Sequence, residues 1–121
     1  MSYIKKNDTY PYIAFSFTDD NEQPVDCTPF IVKIVVRNRT GRTIIDAIIG
    51  KEGSGGVWMN ETEGIGKYEW KPTDTEVSGQ YEYEFKFIRK SDNKRFTIPE
   101  NGYYTYEIKE SIRELEIPEE E

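Results

Sequence analysis

The feature that most constrains this chain is the strict alternation of Tyr81-Glu82-Tyr83-Glu84-Phe85-Lys86-Phe87, in which aromatic and charged residues take turns. Side chains of a β-strand point alternately to opposite faces of a sheet. The run therefore predicts a strand with its rings on one buried face and its carboxylates on a face directed to water. Because the rings need cover, the run favours two packed sheets over helices.

Other runs of strand length follow the same period, and turn residues separate them at short intervals. Phe30–Asn38 is the clearest, with alternate apolar residues on one face. Residues 42–49 are apolar on both faces, so their register cannot be read. Strands and turns at this spacing predict an all-β chain, an Ig-like antiparallel β-sandwich of seven to eight strands with a short C-terminal extension.

The chain length of 121 residues fits one domain. We predict the sandwich over residues 1–109 and an acidic tail over residues 110–121. The tail holds six glutamates and one arginine, so most of the net charge of −7 belongs to it. Ser111-Ile112-Arg113-Glu114 fits a helix capping box, but only a short segment follows. A short helix and a disordered tail both stay open.

The composition argues against several function classes. The chain has no histidine, which removes the commonest general base and metal ligand. The only cysteine, Cys27, is expected to be a small buried apolar residue. The acidic balance argues against nucleic-acid binding, and no apolar run suits a membrane helix. We therefore expect no enzyme, no catalytic, cofactor-binding or metal residues, and no membrane partner. An N-terminus without a signal sequence predicts synthesis in the cytoplasm.

Two acidic arrangements invite a functional interpretation. Residues 19–22, Asp-Asp-Asn-Glu, look like part of a calcium loop but lack its ligand spacing, so a hairpin turn is the better interpretation. Glu82 and Glu84 suggest a paired-acid hydrolase. Since the aromatic residues fall on the opposite face of that strand, nothing desolvates these carboxylates, and the hydrolase is the weakest hypothesis.

The residues before the aromatic strand predict a structural corner made by Asp74, Gly79 and Tyr81. In Ig-type sandwiches a tyrosine near a strand start donates a hydrogen bond to backbone a few residues upstream. Gly79 supplies backbone freedom, and Asp74 holds the turn through its own side chain.

The candidate interaction residues are Trp58, Tyr103 and Tyr104, since large aromatics serve as anchors at interfaces and as stacking platforms for sugars. The alternative for Trp58 is that it covers an open end of a sheet. The sequence does not decide between the two.

The order of residues also resembles a known family, the Ig-like domain at the N-terminus of tailed-phage baseplate upper proteins from phages and prophages of Gram-positive bacteria. The likeness spans roughly residues 3 to 108, with Cys27 standing where leucine is expected and Pro29-Phe30 where Gly-Ala is usual. It rests on Asn7-Asp8-Thr9-Tyr10-Pro11, Phe15 to Asp20, Gln23 to Thr28, Gly66 to Trp70, Asp74-Thr75, Gly79-Gln80-Tyr81, Phe85, Phe96, Pro99, Gly102-Tyr103 and Ile108.

The resemblance implies a non-enzymatic structural or adaptor protein of a phage or prophage tail or baseplate, which acts by protein–protein docking. Its partners would be other tail or baseplate proteins, with self-association open, and its final location the virion tail. The alternative is a β-sandwich module that binds carbohydrate or a cell surface, with Trp58 and exposed tyrosines as its platform.

Overall fold

A computed structural model describes residues 2–10 and 12–110 of the chain. Nine strands and two short 3₁₀ turns, at Glu61–Glu63 and Pro72–Thr75, form within this part. The predicted tail therefore falls outside the described residues except for Glu110, and so does the capping box at 111–114. The strands are β1 (Ser2–Lys5), β2 (Ile13–Ser16), β3 (Phe30–Asn38), β4 (Thr43–Ile48), β5 (Gly56–Asn60), β6 (Ile65–Tyr68), β7 (Gly79–Arg89), β8 (Arg95–Ile98) and β9 (Tyr104–Lys109).

The strands form two sheets that pack as a sandwich, which confirms the predicted all-β fold. The larger sheet has the order β1-β9-β7-β3-β4, with β8 paired to one end of β7, and the smaller has the order β2-β6-β5. Two details differ from the sequence-based expectation. The described residues contain nine strands rather than seven to eight, and β1 runs parallel to β9 while every other strand pair is antiparallel.

The alternation in β7 has the predicted outcome on its buried face. Tyr81, Phe85 and Phe87 are buried, and Tyr83 is half-buried. The opposite face is less exposed to solvent than predicted, since Glu82 and Glu84 are half-buried. Salt bridges between neighbouring side chains on that face account for the partial cover. The side chains that make up the core come from both sheets and from the segments that join the strands: Ile4, Phe17, Cys27, Val32, Ile34, Val36, Ile45, Ala47, Ile49, Tyr68, Trp70, Tyr81, Phe85, Phe87, Tyr106 and Ile108.

The structure supplies the register of β4 that the sequence leaves open. Ile45 and Ala47 turn into the core, together with Ile49 beyond the strand end, whereas Ile44 is exposed. The pairing of β3 with β4 shifts between Val36 and Arg37, so one residue of β4 is left over at this point. A bulge of this kind bends an edge strand and re-aims its side chains.

Cys27 is fully buried, as the composition predicts. Burial, and then the nearby Asp26 carboxylate, raise the pKa of its thiol to about 11. A thiol of this kind stays protonated near neutral pH and does not act as a nucleophile.

Candidate functional site: a groove along the open edge of β4

The corner residues lie together where the chain crosses from the smaller sheet to the larger one. The Tyr81 hydroxyl donates a hydrogen bond of 2.5 Å to the Val77 carbonyl oxygen, four residues upstream. Gly79 has a φ of +143°, a conformation that residues with a side chain rarely adopt. The corner therefore has the geometry of a tyrosine corner, with Val77 as the acceptor.

Asp74 organises the start of the same crossing. One of its carboxylate oxygens accepts hydrogen bonds from the Lys71 backbone N–H at 2.8 Å and from the Tyr68 hydroxyl at 2.6 Å. Burial and this carboxylate raise the pKa of Tyr68. The adjacent Thr75 is fully buried, and its hydroxyl donates to the Asp8 carbonyl oxygen at 2.8 Å. These hydrogen bonds tie the segment between β6 and β7 to Tyr68 and to Asp8.

A long depression separates this crossing segment from β4. It consists of two parts of about 680 and about 520 Å³, which share Ile44 and Asp74 in their linings. We call the whole depression the β4 groove. Its lining residues are Lys33, Asn38, Arg39, Thr40, Arg42, Thr43, Ile44, Ile45, Asp46, Ala47, Ile48, Lys51, Glu52, Gly53, Ser54, Tyr68, Lys71, Thr73, Asp74, Val77, Ser78, Gly79, Gln80 and Tyr81.

The hairpin between β3 and β4 positions two arginines at one end of the groove. The Asn38 carboxamide oxygen accepts hydrogen bonds from the backbone N–H groups of Thr40 and Arg42 at 3.2 and 3.0 Å. Gly41 has a φ of +89°, which closes the turn. This Asx-type turn fixes the backbone that carries Arg39 and Arg42.

The β4 groove is cationic although the chain as a whole is acidic. Five cationic and three anionic side chains line it. Lys33 is paired with Asp46 at 2.8 Å, whereas Arg39, Arg42 and Lys51 are exposed and form no ion pair within residues 2–10 and 12–110. The groove therefore offers positive charge that no ion pair among the described residues neutralises.

The backbone of β4 is open along the groove. The backbone N–H of Ile49 donates a hydrogen bond to the Val32 carbonyl oxygen in β3 at 2.8 Å. Successive residues of a strand direct their N–H and C=O groups to opposite edges, so those of Asp46, three residues earlier, point away from β3. No other described strand pairs with that edge. At the far end the Ile48 carbonyl is closed off by the Ser54 hydroxyl at 2.6 Å. An edge of this kind accepts an added strand.

The three candidate interaction residues do not form one patch. Trp58 belongs to the smaller sheet, is half-buried, and packs edge-to-face on Phe15 with ring centroids 5.9 Å apart. Its indole also covers Gly50, where an added Cβ would lie 2.7 Å from the ring. These contacts match the alternative interpretation in which Trp58 covers the end of a sheet.

Tyr103 and Tyr104 are both exposed and belong to the larger sheet or its border. The Arg37 guanidinium lies over the Tyr103 ring at 4.2 Å. Tyr3 and Tyr12 are also exposed and carry lysines over their rings, at 4.0 and 4.6 Å. A sugar stacks on an open ring face, so one face of each of these three cation-bearing rings is unavailable to it.

Glu82 and Glu84 line a shallow pocket of about 170 Å³ on the outer face of the larger sheet. Each carboxylate is already paired. Glu82 lies 3.2 Å from Arg37, and Glu84 lies 2.7 Å from Lys86. A two-carboxylate hydrolase needs two acids that face a bound substrate. Here both Glu82 and Glu84 are already held in ion pairs.

The Asp19 side chain closes a turn, because its carboxylate accepts hydrogen bonds from the N–H groups of Asn21 and Gln23 at 2.8 and 3.0 Å. An isolated bridge between Thr18 and Pro24 flanks this turn, as a hairpin requires. Within the part of the chain that the structure describes, no three potential metal-ligating side chains cluster. Nor is any helix in that part long and apolar enough to cross a membrane.

Neither a protein-family model nor a curated protein sequence matches the chain at a significant level.

Sequence reasoning missed Arg39, Arg42 and Lys51. They come from a turn and a loop that the fold brings to one side of β4. The only local signal was the turn sequence Asn38-Arg39-Thr40-Gly41, which places Arg39 at the tip of a hairpin.

Proposed function

We propose that this chain is a non-enzymatic structural adaptor that docks other proteins, and that the β4 groove is its docking surface. The open edge of β4 is the observation that carries the proposal. A strand edge flanked by a groove binds extended polypeptide through main-chain hydrogen bonds, while side chains along the groove select the sequence.

Exposed apolar groups in the β4 groove support this function. Ile44 is 38% exposed and Val77 is 67% exposed, and they lie on opposite walls. Interfaces gain most of their affinity where apolar groups of this kind lose contact with water. On the outer face of β7, by contrast, Glu82 and Glu84 already pair with Arg37 and Lys86.

The proposed setting is a phage or prophage tail or baseplate, with its other proteins as partners. The support for this setting is the resemblance along residues 3 to 108, which includes the corner Asp74, Gly79 and Tyr81. Tail assemblies are symmetric, so several copies of an adaptor are expected to act together.

Site-specific photo-crosslinking tests the proposal. A photoreactive amino acid at Ile44 samples the β4 groove, and the same amino acid at Val57 samples the other sheet at matched exposure, 38% against 39%. The chain is produced in cells that assemble the phage particles and is then irradiated. We expect an adduct with a tail or baseplate protein from position 44 and none from position 57.

Mass spectrometry of the adduct identifies the partner. Equal yields from both positions would contradict a specific docking surface at β4. An adduct with a protein from outside the particle would overturn the proposed setting while leaving the docking surface in place.

A further inference from the structure

We infer that the partner segment bound in the β4 groove is an extended, acidic stretch of polypeptide of about the length of one strand. This inference rests on the proposed docking function and adds the chemistry of the partner. It is argued from the charge, the length and the open backbone of the groove.

The arginine end of the groove selects a partner rich in carboxylates, because Arg39 and Arg42 share that part with Asp74 alone among acidic residues, whereas acidic and basic side chains are equal in number in the part that contains Lys51. Arg39 and Arg42 lie at one end and Lys51 lies at the other, and none of the three forms an ion pair within the described residues. Arginine binds a carboxylate with two parallel hydrogen bonds. Elsewhere on the same sheet, Arg37, Lys86 and Arg89 each form an ion pair with an acid at 2.7–3.2 Å.

The length of the groove sets the length of the segment. Strand β4 has six residues. At a rise of ~3.4 Å per residue such a strand spans roughly 20 Å, and an added strand of the same length covers it. The segment therefore places acidic residues at the end that faces Arg39 and Arg42, and apolar residues beyond them.

The centre of the groove suits those apolar residues. Ile44 and Val77 are exposed on facing walls, and the N–H and C=O of Asp46 point to the open side of β4. A strand added there would pair with the Asp46 backbone and set an alternate side chain against Ile44. The charge of the groove sets the preferred sequence of the bound segment, and backbone pairing with β4 sets its extended conformation.

Peptide titration of the full chain tests the inference. The probe is a capped peptide of strand length with glutamates at one end and alternating valine and threonine beyond them. The matched probe replaces each glutamate with lysine. Binding is followed through the backbone amide resonance of Asp46 at low salt.

We expect the glutamate peptide to shift this resonance saturably and the lysine peptide to leave it unchanged. The double variant Arg39→Glu/Arg42→Glu should weaken the glutamate peptide by about tenfold or more. The control Lys94→Glu/Arg95→Glu makes the same charge change at exposed residues away from the groove and should leave the affinity within about twofold, since distant exposed charges are screened.

Each of the following results would overturn the inference. The first is equal binding of both peptides, and the second is unchanged affinity in the Arg39→Glu/Arg42→Glu variant. The third is binding seen only after Glu114, Glu116, Glu119, Glu120 and Glu121 are changed to glutamine, which would assign the groove to the chain's own acidic segment. If neither peptide binds while the Ile44 crosslink to a tail protein forms, the acidic chemistry is wrong and the docking function stands.

Discussion

Tyr81 and Tyr106 bury their rings side by side in this sandwich, yet their hydroxyl groups differ in hydrogen bonding. The rings stack with centroids 5.2 Å apart. The Tyr81 hydroxyl donates to the Val77 carbonyl oxygen, whereas the Tyr106 hydroxyl is buried with no hydrogen-bond partner among the described residues. A buried hydroxyl without a partner loses the hydrogen bonds that water gave it in the unfolded chain.

This difference predicts that the same substitution has different effects on stability at the two positions. Tyr81→Phe should lower the free energy of unfolding by about 1 kcal/mol, because it removes a made hydrogen bond. Tyr106→Phe should leave the free energy of unfolding unchanged or raise it, because it removes only an unpaired group. Urea unfolding of both variants beside the wild type measures the two effects. A loss of stability in Tyr106→Phe equal to that in Tyr81→Phe would show that the Tyr106 hydroxyl does have a partner.

The Cys27 thiol predicts a loss of stability at high pH. Its pKa is raised from 9.0 to about 11 in the folded chain. Above pH 9 the unfolded chain releases this proton while the folded chain keeps it. Stability from this group is therefore fully present below pH 9 and is lost as the pH rises toward 11, by at most ~1.4 kcal/mol per pH unit.

Chemical unfolding of the wild type and of Cys27→Ala between pH 8 and pH 11 isolates this effect. The two free energies of unfolding should converge as the pH rises, since only the wild type carries the thiol. Buried tyrosines add a similar trend above pH 10 in both proteins, and the comparison cancels it. Parallel curves would mean that the thiol titrates alike in the folded and unfolded chains.

Strand β7 shows how far the sequence predicts the elements. Its two-residue alternation can be recognised without knowing which strands lie beside it, so the buried side of the strand follows from the sequence alone. Strand β4 is the opposite case, because residues 42–49 are apolar on both faces and only the packing of Ile45 and Ala47 into the core fixes its register. The β4 groove depends on that register, and so it stays hidden from the sequence.

The parallel pairing of β1 with β9 was also beyond sequence reasoning. It joins residues 2–5 to residues near 106–109, and nothing local in either stretch specifies the direction of the pairing. Trp58 shows the same limit for single residues. Its half-buried position depends on Phe15 and Gly50, which reach it only through the fold.

Phe85 and Glu84, which are neighbours in β7, are predicted to contribute very differently to stability. Phe85 is 2% exposed and packs on Phe15 and Phe17. Phe85→Ala should lower the free energy of unfolding by about 3–5 kcal/mol through the cavity it leaves. Glu84→Ala, one position away on the ion-paired outer face, should cost about 1 kcal/mol or less.

Thermal and urea unfolding of the two variants provides this comparison. Similar losses in both would mean that Glu84 contributes to the folded state as a buried group does. That outcome would favour the paired-acid hypothesis, which requires Glu82 and Glu84 to be enclosed.

At the scale of the whole molecule, acidic and basic residues are concentrated in different parts of the chain. Residues 110–121 contain six glutamates and one arginine, whereas the β4 groove presents arginines and lysines on one side of the sandwich. Such a distribution steers an acidic partner toward the groove, and added salt should weaken that attraction. The other strands with an unpaired edge among the described residues, β1, β2, β5 and β8, line neither part of this groove.

The most direct test of the account is amide hydrogen exchange of the chain, free and in its purified complex with the protein captured through Ile44. Strand addition would pair the open edge of β4, so exchange across Thr43–Ile48 should slow in the complex. Exchange across Gly56–Asn60, the edge strand of the other sheet, should stay the same. Unchanged exchange in β4, with protection elsewhere on the sandwich, would contradict docking at this groove.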